Sequence, residues 1–484
     1  MSPVSGVPST PWLDDRVDVA RDVAQSLAAP SPAVMELADY LAALDHDRDR
    51  TFTHASIKPL AELTEWDASP ERTRITHRTG RFFSVEGLRV TMPSNPVQSW
   101  DQPIVVQSEV GVLGIIAKKF NGTMHFLMQN KVEPGNRNGI QLSPTVQATR
   151  SNFTRVHGGA AIPYLGYFLS PGDRSRQRVL ADVRHTEQGS WFFRKRNRNM
   201  VIEVFDDVDV QPGWYWLTLS QIAELLTHDD LVNMEVRSVL ACLPLAVPRP
   251  AQDDVMGLAL GDSLRQSCDP GLGAAHSTLE ILSWVTRARS DHEQGTELCS
   301  LHDVGDWEFG PDRLAHRSGR YFTVIGVDVT ARGREVRRWD QPMVSAGAGG
   351  VVAFLVTTIS GALHVLVQLR AEAGGFDGPE LAPTVQCDPT NYLPGEAPPL
   401  LDEVLGADAE RVLFDTMLSD EGGRFFHTSH RHLIVQAKDD SEPEGFRWLT
   451  LAQCADLAQH SHYLNVQTRS LLACVLALFR GATT

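Results

Sequence analysis

The chain of 484 residues carries 44 Lys plus Arg against 60 Asp plus Glu, a net charge of −16, with 42% hydrophobic and 21% charged residues. At about 150 residues per domain this length suggests two to four domains and excludes a lone zinc-finger or disulfide-stapled module, while the apolar content excludes a disordered chain. The negative charge opposes binding to a phosphate polyanion, so nucleic acid is not expected as a partner.

Residues 1–29 read as a tail without the basic start and apolar core of a secretory signal. No run reaches the roughly 20 apolar residues needed to span a bilayer, so no membrane partner is expected. The six cysteines (Cys242, Cys268, Cys299, Cys387, Cys454 and Cys474) form no CxxC pair, which fits a reducing cytoplasm.

A helical pattern opens at PAVMELADYLAALD. Short alternating apolar runs such as RFFSVEGLRV and HFLMQ follow, punctuated by Gly and Pro, and predict strands. TLSQIAELL and VNMEVRSVLACL space their apolar residues three and four apart and predict helices, the first capped by Thr218 or Ser220. Residues 247–272, with Pro248, Pro250, Pro270 and several glycines, read as a linker. A helix at STLEILSWVTRA then opens a second copy of the whole pattern. HRTGRFFSVEGLRV at 77–90 returns as HRSGRYFTVIGVDV at 316–329, an offset of 239 that also relates WDQP at 100–103 to WDQP at 339–342, and LSPTVQ to LAPTVQ. After a small slip the match resumes at EQGSWFFRKRNRNMVIEV against EGGRFFHTSHRHLIVQA, and closes with WLTLSQIAELL against WLTLAQCADLA and VNMEVRSVLACL against LNVQTRSLLACV. A period this long is a duplicated domain, not a solenoid. Two α+β modules are expected, over 30–246 and 273–484, each a mixed sheet with a few packed helices. Cys242 and Cys474 occupy equivalent apolar helix positions and are expected in the core.

Period two places His125, Leu127, Gln129 and Lys131 on one strand face that continues to Glu133; the second copy offers His364, Leu366, Gln368, Arg370 and Glu372. Such groups are costly to bury unlinked. The face therefore lines a pocket, is solvated, or bonds a shared loop such as the WDQP turn. Gln147, Thr384 and Gln386 of the two PTVQ segments are candidate contacts to the same ligand. The equivalent loops Thr149-Arg150-Ser151-Asn152-Phe153 and Asp388-Pro389-Thr390-Asn391-Tyr392 couple amide or hydroxyl groups to an aromatic ring, which suits a sugar or a base. Trp66 and Trp307 either stack on a pyrimidine or staple the opening helix to the sheet.

Against an acidic background, the turn Gln188-Gly189-Ser190 followed by Arg194, Lys195, Arg196 and Arg198 presents backbone N–H groups and guanidinium groups suited to a diphosphate. The alternative is a solvated strand edge blunted by charge. Its counterpart, Glu421-Gly422-Gly423-Arg424 followed by His427, His430, Arg431 and His432, keeps the glycine turn and trades much of the charge for histidine. No GxGxxG, Walker A, HExxH or G-x-S-x-G element is present, and no cofactor is expected. Asp45-His46-Asp47 and His228-Asp229-Asp230 read as solvated charge at helix ends, so no metal site is assigned to them.

The ordered set WDQP, LxPTVQ, EQGSWFxRKRNRNM, WLTLxQIAELL and VNMxxRSVLACL resembles the NDP-hexose 2,3-dehydratase family of deoxysugar biosynthesis along nearly the whole chain. The resemblance implies two tandem Nudix-like modules, a homodimer, and a dTDP-4-keto-6-deoxyhexose substrate, with a C3 ketoreductase acting next. Neither copy contains the glutamate-rich box that would hold magnesium for diphosphate hydrolysis, which argues against a metal-dependent nucleotide hydrolase. A noncatalytic nucleotide-sugar binding protein is the other alternative. For the dehydration, the strand face offers His125 or His364 as base, Lys131 or Arg370 with glutamine as donors to an enolate oxygen, and Glu133 or Glu372 as acid or orienting group.

Overall fold

A computed structural model describes residues 11–28, 34–149, 162–169, 175–245, 258–332, 336–393 and 395–481. Each copy contributes a seven-stranded mixed sheet. In the first the order is Gln177–Thr186, Arg196–Val204, Gly111–Phe120, Thr123–Val132, Trp214–Leu217, and in the second Val412–Ser419, Ser429–Gln436, Gly350–Ile359 and Ala362–Arg370 repeat it. The pairings Arg196–Val204 with Gly111–Phe120, and Ser429–Gln436 with Gly350–Ile359, are parallel. These strands are central and buried on both faces, which is why GVLGIIA and GVVAFLV are continuous apolar runs without alternation. The α+β class and the duplication are thus both present in the fold.

The two five-stranded sheets are built by exchange. Phe52–Lys58 of the first copy pairs antiparallel with Thr323–Arg332 of the second, from Phe52 opposite Arg332 to Lys58 opposite Gly326. Reciprocally, Gly295–Cys299 pairs with Ser84–Thr91. Glycine is required in both VEGL and VIGV, since a Cβ on Gly326 would lie 2.7 Å from the Lys58 carbonyl oxygen and one on Gly87 2.8 Å from that of Ser300.

WDQP secures the exchange. The buried Asp340 carboxylate accepts from Thr64 N at 2.7 Å, Thr64 Oγ1 at 2.8 Å, Glu65 N at 3.2 Å and Lys58 Nζ at 3.1 Å, all in the other copy. Trp66 Nε1 donates to the Asp340 carbonyl at 2.9 Å, and Trp307 Nε1 to that of Asp101 at 3.1 Å. Trp66 and Trp307 are only 4% and 6% exposed and pack against Phe83 and Phe322 with ring centroids 4.7 Å apart in each case. Neither presents a face to a base: they are staples, and what they hold is the WDQP strand of the opposite copy, not the opening helix. Asp340→Ala strands the Lys58 ammonium and two backbone N–H groups, and a loss of about 2–3 kcal/mol, read by denaturant unfolding, is expected.

The shared RS dipeptide of VNMEVRS and LNVQTRS lies where helix Met234–Leu240 meets helix Val466–Gly481. Arg237 donates to Ser470 Oγ at 2.8 Å and to the carbonyls of Val232 and Ser419 at 2.6 and 2.7 Å. Arg469 returns the pattern to Ser238 Oγ at 3.0 Å and to the carbonyls of Leu464 and Thr186, both at 2.6 Å. One hydrophobic core runs through both copies, from Phe126 and Leu240 to Phe354 and Leu476, and includes Cys242 and Cys474, whose thiols burial pushes up to about 12. The acidic triplets are structural and not simply solvated: Asp47 accepts from Asn130 Nδ2 at 2.8 Å and Tyr215 Oη at 2.9 Å, and the buried Asp230 accepts from Ser429 Oγ at 2.8 Å. Among the described residues no helix is long and apolar enough to cross a membrane.

Candidate active site

The polar strand faces and the glycine turns meet, but crosswise. Just beyond Thr123–Val132, Gly135 N donates to the Gly422 carbonyl at 2.7 Å and His427 N to the Gly135 carbonyl at 2.9 Å, so the second copy's turn covers the first copy's strand end. The reciprocal bonds are Gly374 N to the Gly189 carbonyl at 2.6 Å and Arg194 N to the Gly374 carbonyl at 2.8 Å. The approach admits no side chain: a Cβ on Gly135 would sit 1.7 Å from the Phe425 carbonyl oxygen. Within each copy WDQP positions the turn. Gln102 Nε2 donates to the Ser190 carbonyl at 2.8 Å and Gln341 Nε2 to that of Gly423 at 2.9 Å, each glutamine being oriented by its neighbouring Trp100 or Trp339 Nε1 at 2.9 Å. One tetrapeptide thus ties strand exchange to turn placement.

The first of the two crossed sites contains Lys131, Glu133, Gln147, Asn233 and Glu235 from one copy and the Glu421–Arg424 turn from the other. Lys131 Nζ lies 2.9 Å from Glu133 Oε1. The single Gln147 Nε2 donates to Glu133 Oε1 at 3.2 Å and to Glu235 Oε1 at 3.0 Å. The two N–H groups of one amide thus serve two carboxylates in a buried site, where like charges brought close raise the pKa of one of them. The ammonium group beside Glu133 favours charge there. Burial, reinforced by Glu133 and Glu421, pushes Glu235 well above the carboxylate range, so Glu235 carries the proton. Burial also raises Glu421, with Glu133 adding to the rise and Arg424 and Lys195 opposing it. Arg424 lies over the Phe83 ring at 4.3 Å, with Nη1 donating to the Gly423 carbonyl at 2.8 Å.

The second crossed site keeps only part of this set. Glu372 accepts from Gly189 N at 2.7 Å, Ser190 Oγ at 3.2 Å and Gln386 Nε2 at 2.8 Å, with Arg370 Nε 3.7 Å away. Asn465 Nδ2 holds Gln386 Oε1 at 2.7 Å, as Asn233 does for Gln147 at 3.5 Å. Gln467 stands where the first site has Glu235, and Gln188 where it has Glu421. Thr186, Glu187, Arg194, Lys195 and Glu380 complete the lining. Burial raises Glu187 and Glu380 to about 7; Thr186 Oγ1 donates to Glu380 at 2.9 Å.

Other expected residues fall elsewhere. His125 and His364 are 0% exposed at the starts of their strands, each with Nδ1 2.9 Å from a local carbonyl oxygen, and His364 Nε2 accepts from Ala275 N at 3.1 Å. Eight residues of strand separate each histidine from its glutamate, roughly 26 Å at 3.3 Å per residue. The shared face is real, but it is too long for one substrate to touch both ends. Gln368 Nε2 donates to the Pro383 and Thr384 carbonyls at 3.0 Å each, and buried Thr384 Oγ1 bridges Leu355 N and the Leu366 carbonyl, so both latch neighbouring strands. Gln129 stands opposite Ser143 and Trp214 in the sheet.

The basic cluster also separates. Arg198 faces Asp182 with two bonds of 2.6 Å, Arg194 lies 5.0 Å from the Phe193 ring at the exposed rim, and only Lys195 turns inward, donating to the Glu109 carbonyl. Burial lowers the Lys195 pKa against the opposing pull of Glu421 and Glu187. The run therefore does not form one phosphate patch: Lys195 lies on the face opposite to the arginines, Arg198 is taken by Asp182, and Arg194 and Arg196 lie over the rings of Phe193 and Phe376. Asp388 Oδ1 accepts from Thr390 N at 2.9 Å, Asn391 Oδ1 accepts from Tyr321 N at 2.8 Å, and burial raises the Tyr392 hydroxyl beside Arg370. Arg150, Ser151, Asn152 and Phe153 lie outside the described residues, which resume at 162 after Thr149. Sequence reasoning missed Glu235 and Asn233. The available signal was a glutamate in the first turn of a wholly buried helix, two residues after an Asn whose side chain accepts from Val236 N at 2.9 Å as its cap.

The family model for NDP-hexose 2,3-dehydratase matches residues 37–243 and again 278–475, one segment for each copy. The chain is 44% identical over 472 residues to a dTDP-4-dehydro-6-deoxy-alpha-D-glucopyranose 2,3-dehydratase of Amycolatopsis orientalis, covering 96% of this chain and 95% of that one. It is 44% identical over 432 residues to the enzyme of the same name from Saccharopolyspora spinosa, covering 87% of each, and 45% identical over 425 residues to that of Streptomyces violaceoruber, covering 87% and 92%. With both copies matched and a relative 44% identical over nearly the whole length, the chain belongs to the NDP-hexose 2,3-dehydratase family.

Proposed function

We propose that the protein removes water across C2 and C3 of dTDP-4-keto-6-deoxy-D-glucose, and that the chemistry takes place in the first crossed site. The observation that carries this reading is the Gln147 bridge, which joins Glu133, beside the Lys131 ammonium, at 3.2 Å to Glu235, whose pKa burial raises, at 3.0 Å. Elimination needs this division of labour. The C4 ketone acidifies the C3 proton, which Glu133 accepts. The enolate charge that develops on the C4 oxygen is met by Lys131. Glu235 protonates the departing C2 hydroxyl, and water leaves. The resulting enol takes a proton at C2 from Glu133 and gives up its C3 hydroxyl proton to Glu235, which resets both groups and yields a 3,4-diketo-2,6-dideoxy sugar. Oxidation at C3 balances reduction at C2, so the step consumes no redox cofactor. In the second site the acid position is Gln467, an amide with no proton to give.

The diphosphate is assigned to Arg424 and Lys195 with the N–H groups of the glycine turn. The family resemblance supports a homodimer, and the reactivity of a 1,2-diketone supports prompt consumption by a C3 ketoreductase. Incubation with dTDP-4-keto-6-deoxyglucose and an o-diamine is expected to yield a trapped adduct of the diketone lighter by one water, with dTDP still attached and with EDTA without effect. Release of a nucleoside monophosphate that EDTA stops would instead establish a metal-dependent hydrolase, and recovery of intact sugar a binding protein.

A further inference from the structure

Asp420, which precedes Glu421, is buried and paired with His430, Nε2 to Oδ2 at 2.8 Å. Its other oxygen, Oδ1, accepts from Gln188 Nε2 of the opposite copy at 3.2 Å, and its backbone N–H donates to the Thr428 carbonyl at 3.0 Å. The His430 ring stacks on Trp191 of the opposite copy, with centroids 6.0 Å apart and planes 6° from parallel. Space for it depends on Gly350, where a Cβ would fall 1.9 Å from Nδ1. The first copy builds the same clamp with a neutral donor: Asn197, opposite Gly111 as His430 is opposite Gly350, donates Nδ2 to Glu187 Oε1 at 2.7 Å. Only the clamp behind the Glu421 turn has a donor that can itself carry charge; in the other copy the donor is a neutral amide and the titratable partner is Glu187.

We propose that His430 is a positioning residue for the dehydration: as an imidazolium it fixes Asp420, and through the adjoining peptide it holds Glu421 and the Gly422-Gly423 turn over Glu133. The proposal rests on the first crossed site being the site of reaction. The charged or titratable groups that face His430 are Asp420 at the end of Val412–Ser419, Asp388 after Val385–Cys387, Arg237 of Met234–Leu240, and His432 two residues along its own strand. Burial and Arg237 oppose charge on the ring, Asp420 and Asp388 favour it, and the balance lies above the ordinary histidine value. His432, which burial lowers to about 3, stays neutral, with Nε2 3.0 Å from Ser470 Oγ. A raised pKa means that the clamp is charged below it and is released as pH rises through it.

His430→Asn, which installs the first copy's donor, is expected to lower kcat by about tenfold to a hundredfold, the usual scale for displaced groups at a reacting centre, and to raise KM as well, because the same turn carries the diphosphate donors. Glu235 and His430 must both be protonated, so the logarithm of the wild-type rate should fall with a slope of −2 above both pKa values, and that of the variant with −1. A folded variant that keeps kcat within about twofold and the steeper limb overturns the proposal. If the variant does not fold, NMR of histidine-labelled wild-type enzyme, with the His430 ring assigned through its contact with Trp191, decides instead. Titration coincident with one step of the limb supports the clamp; a ring already neutral at pH 7 refutes it. Failure of the underlying reading has a different signature, namely undiminished turnover by Glu133→Gln and Glu235→Gln.

Discussion

Glu133→Gln is expected to lower dehydration by about a thousandfold, the range for loss of a positioned proton acceptor, while the equivalent Glu372→Gln leaves the rate within about threefold. The substitution preserves shape and one hydrogen-bond acceptor, so the fold should be retained; what is lost is the group that takes the C3 proton. Glu235→Gln should cost about a hundredfold, because an amide still bonds Gln147 but cannot protonate the leaving hydroxyl. The contrast between Glu133 and Glu372 tests the assignment of chemistry to one crossed site. Stopped assays with diketone trapping, at saturating and at low substrate, separate loss of turnover from loss of binding. Equal losses from Glu133→Gln and Glu372→Gln would mean that both sites turn over.

The largest stability effect is expected at the centre of the molecule. Arg469→Met should destabilise the protein by about 4 kcal/mol in chemical unfolding, because it leaves the Leu464 and Thr186 carbonyls without their buried donor and removes a cation from beside Glu187 and Glu380. The deficit should grow with pH. Burial already raises both glutamates to about 7, above their unfolded values, so each binds a proton more tightly in the folded chain. Such a group stabilises the fold below its unfolded pKa, and its contribution declines as pH rises towards the folded pKa. Without Arg469 to favour their ionised forms, the folded pKa values climb further and the decline extends over a wider range. Unfolding at pH 5 and pH 8 should therefore differ more in the variant than in the wild type. A pH-independent deficit would limit the role of Arg469 to its hydrogen bonds.

Much of the architecture was legible because it is written in short-range periods. Alternation placed Lys131 and Glu133 on one face, and the 2.9 Å contact between them is what period two requires. The 239-residue offset identified two copies of one module, and Thr218, read as a cap, accepts from Gln221 N in a capping box. Pro11–Ala28 and Leu258–Ser267, expected in a tail and a linker, form helices that send Val23 and Leu264 into the main core; the reading of the histidines failed because strand period reports which face a residue occupies but not how far along it lies. His125 shares a face with Glu133 and is nonetheless about eight strand residues away, and the same alternation sends Arg198 to Asp182 while Lys195 turns inward.

The sequence by itself determined the duplication, the α+β class and the glycine turns. Tertiary structure alone decided that each turn serves the opposite copy. Strand exchange between Phe52–Lys58 and Thr323–Arg332, and the Gly135 and Gly422 pairing, join residues more than two hundred positions apart. No local pattern encodes such a partner, because the two copies offer nearly the same backbone edge and nearly the same turn. The choice between them is made by packing around Arg237, Arg469 and the buried Asp340, where donors of one copy find acceptors in the other.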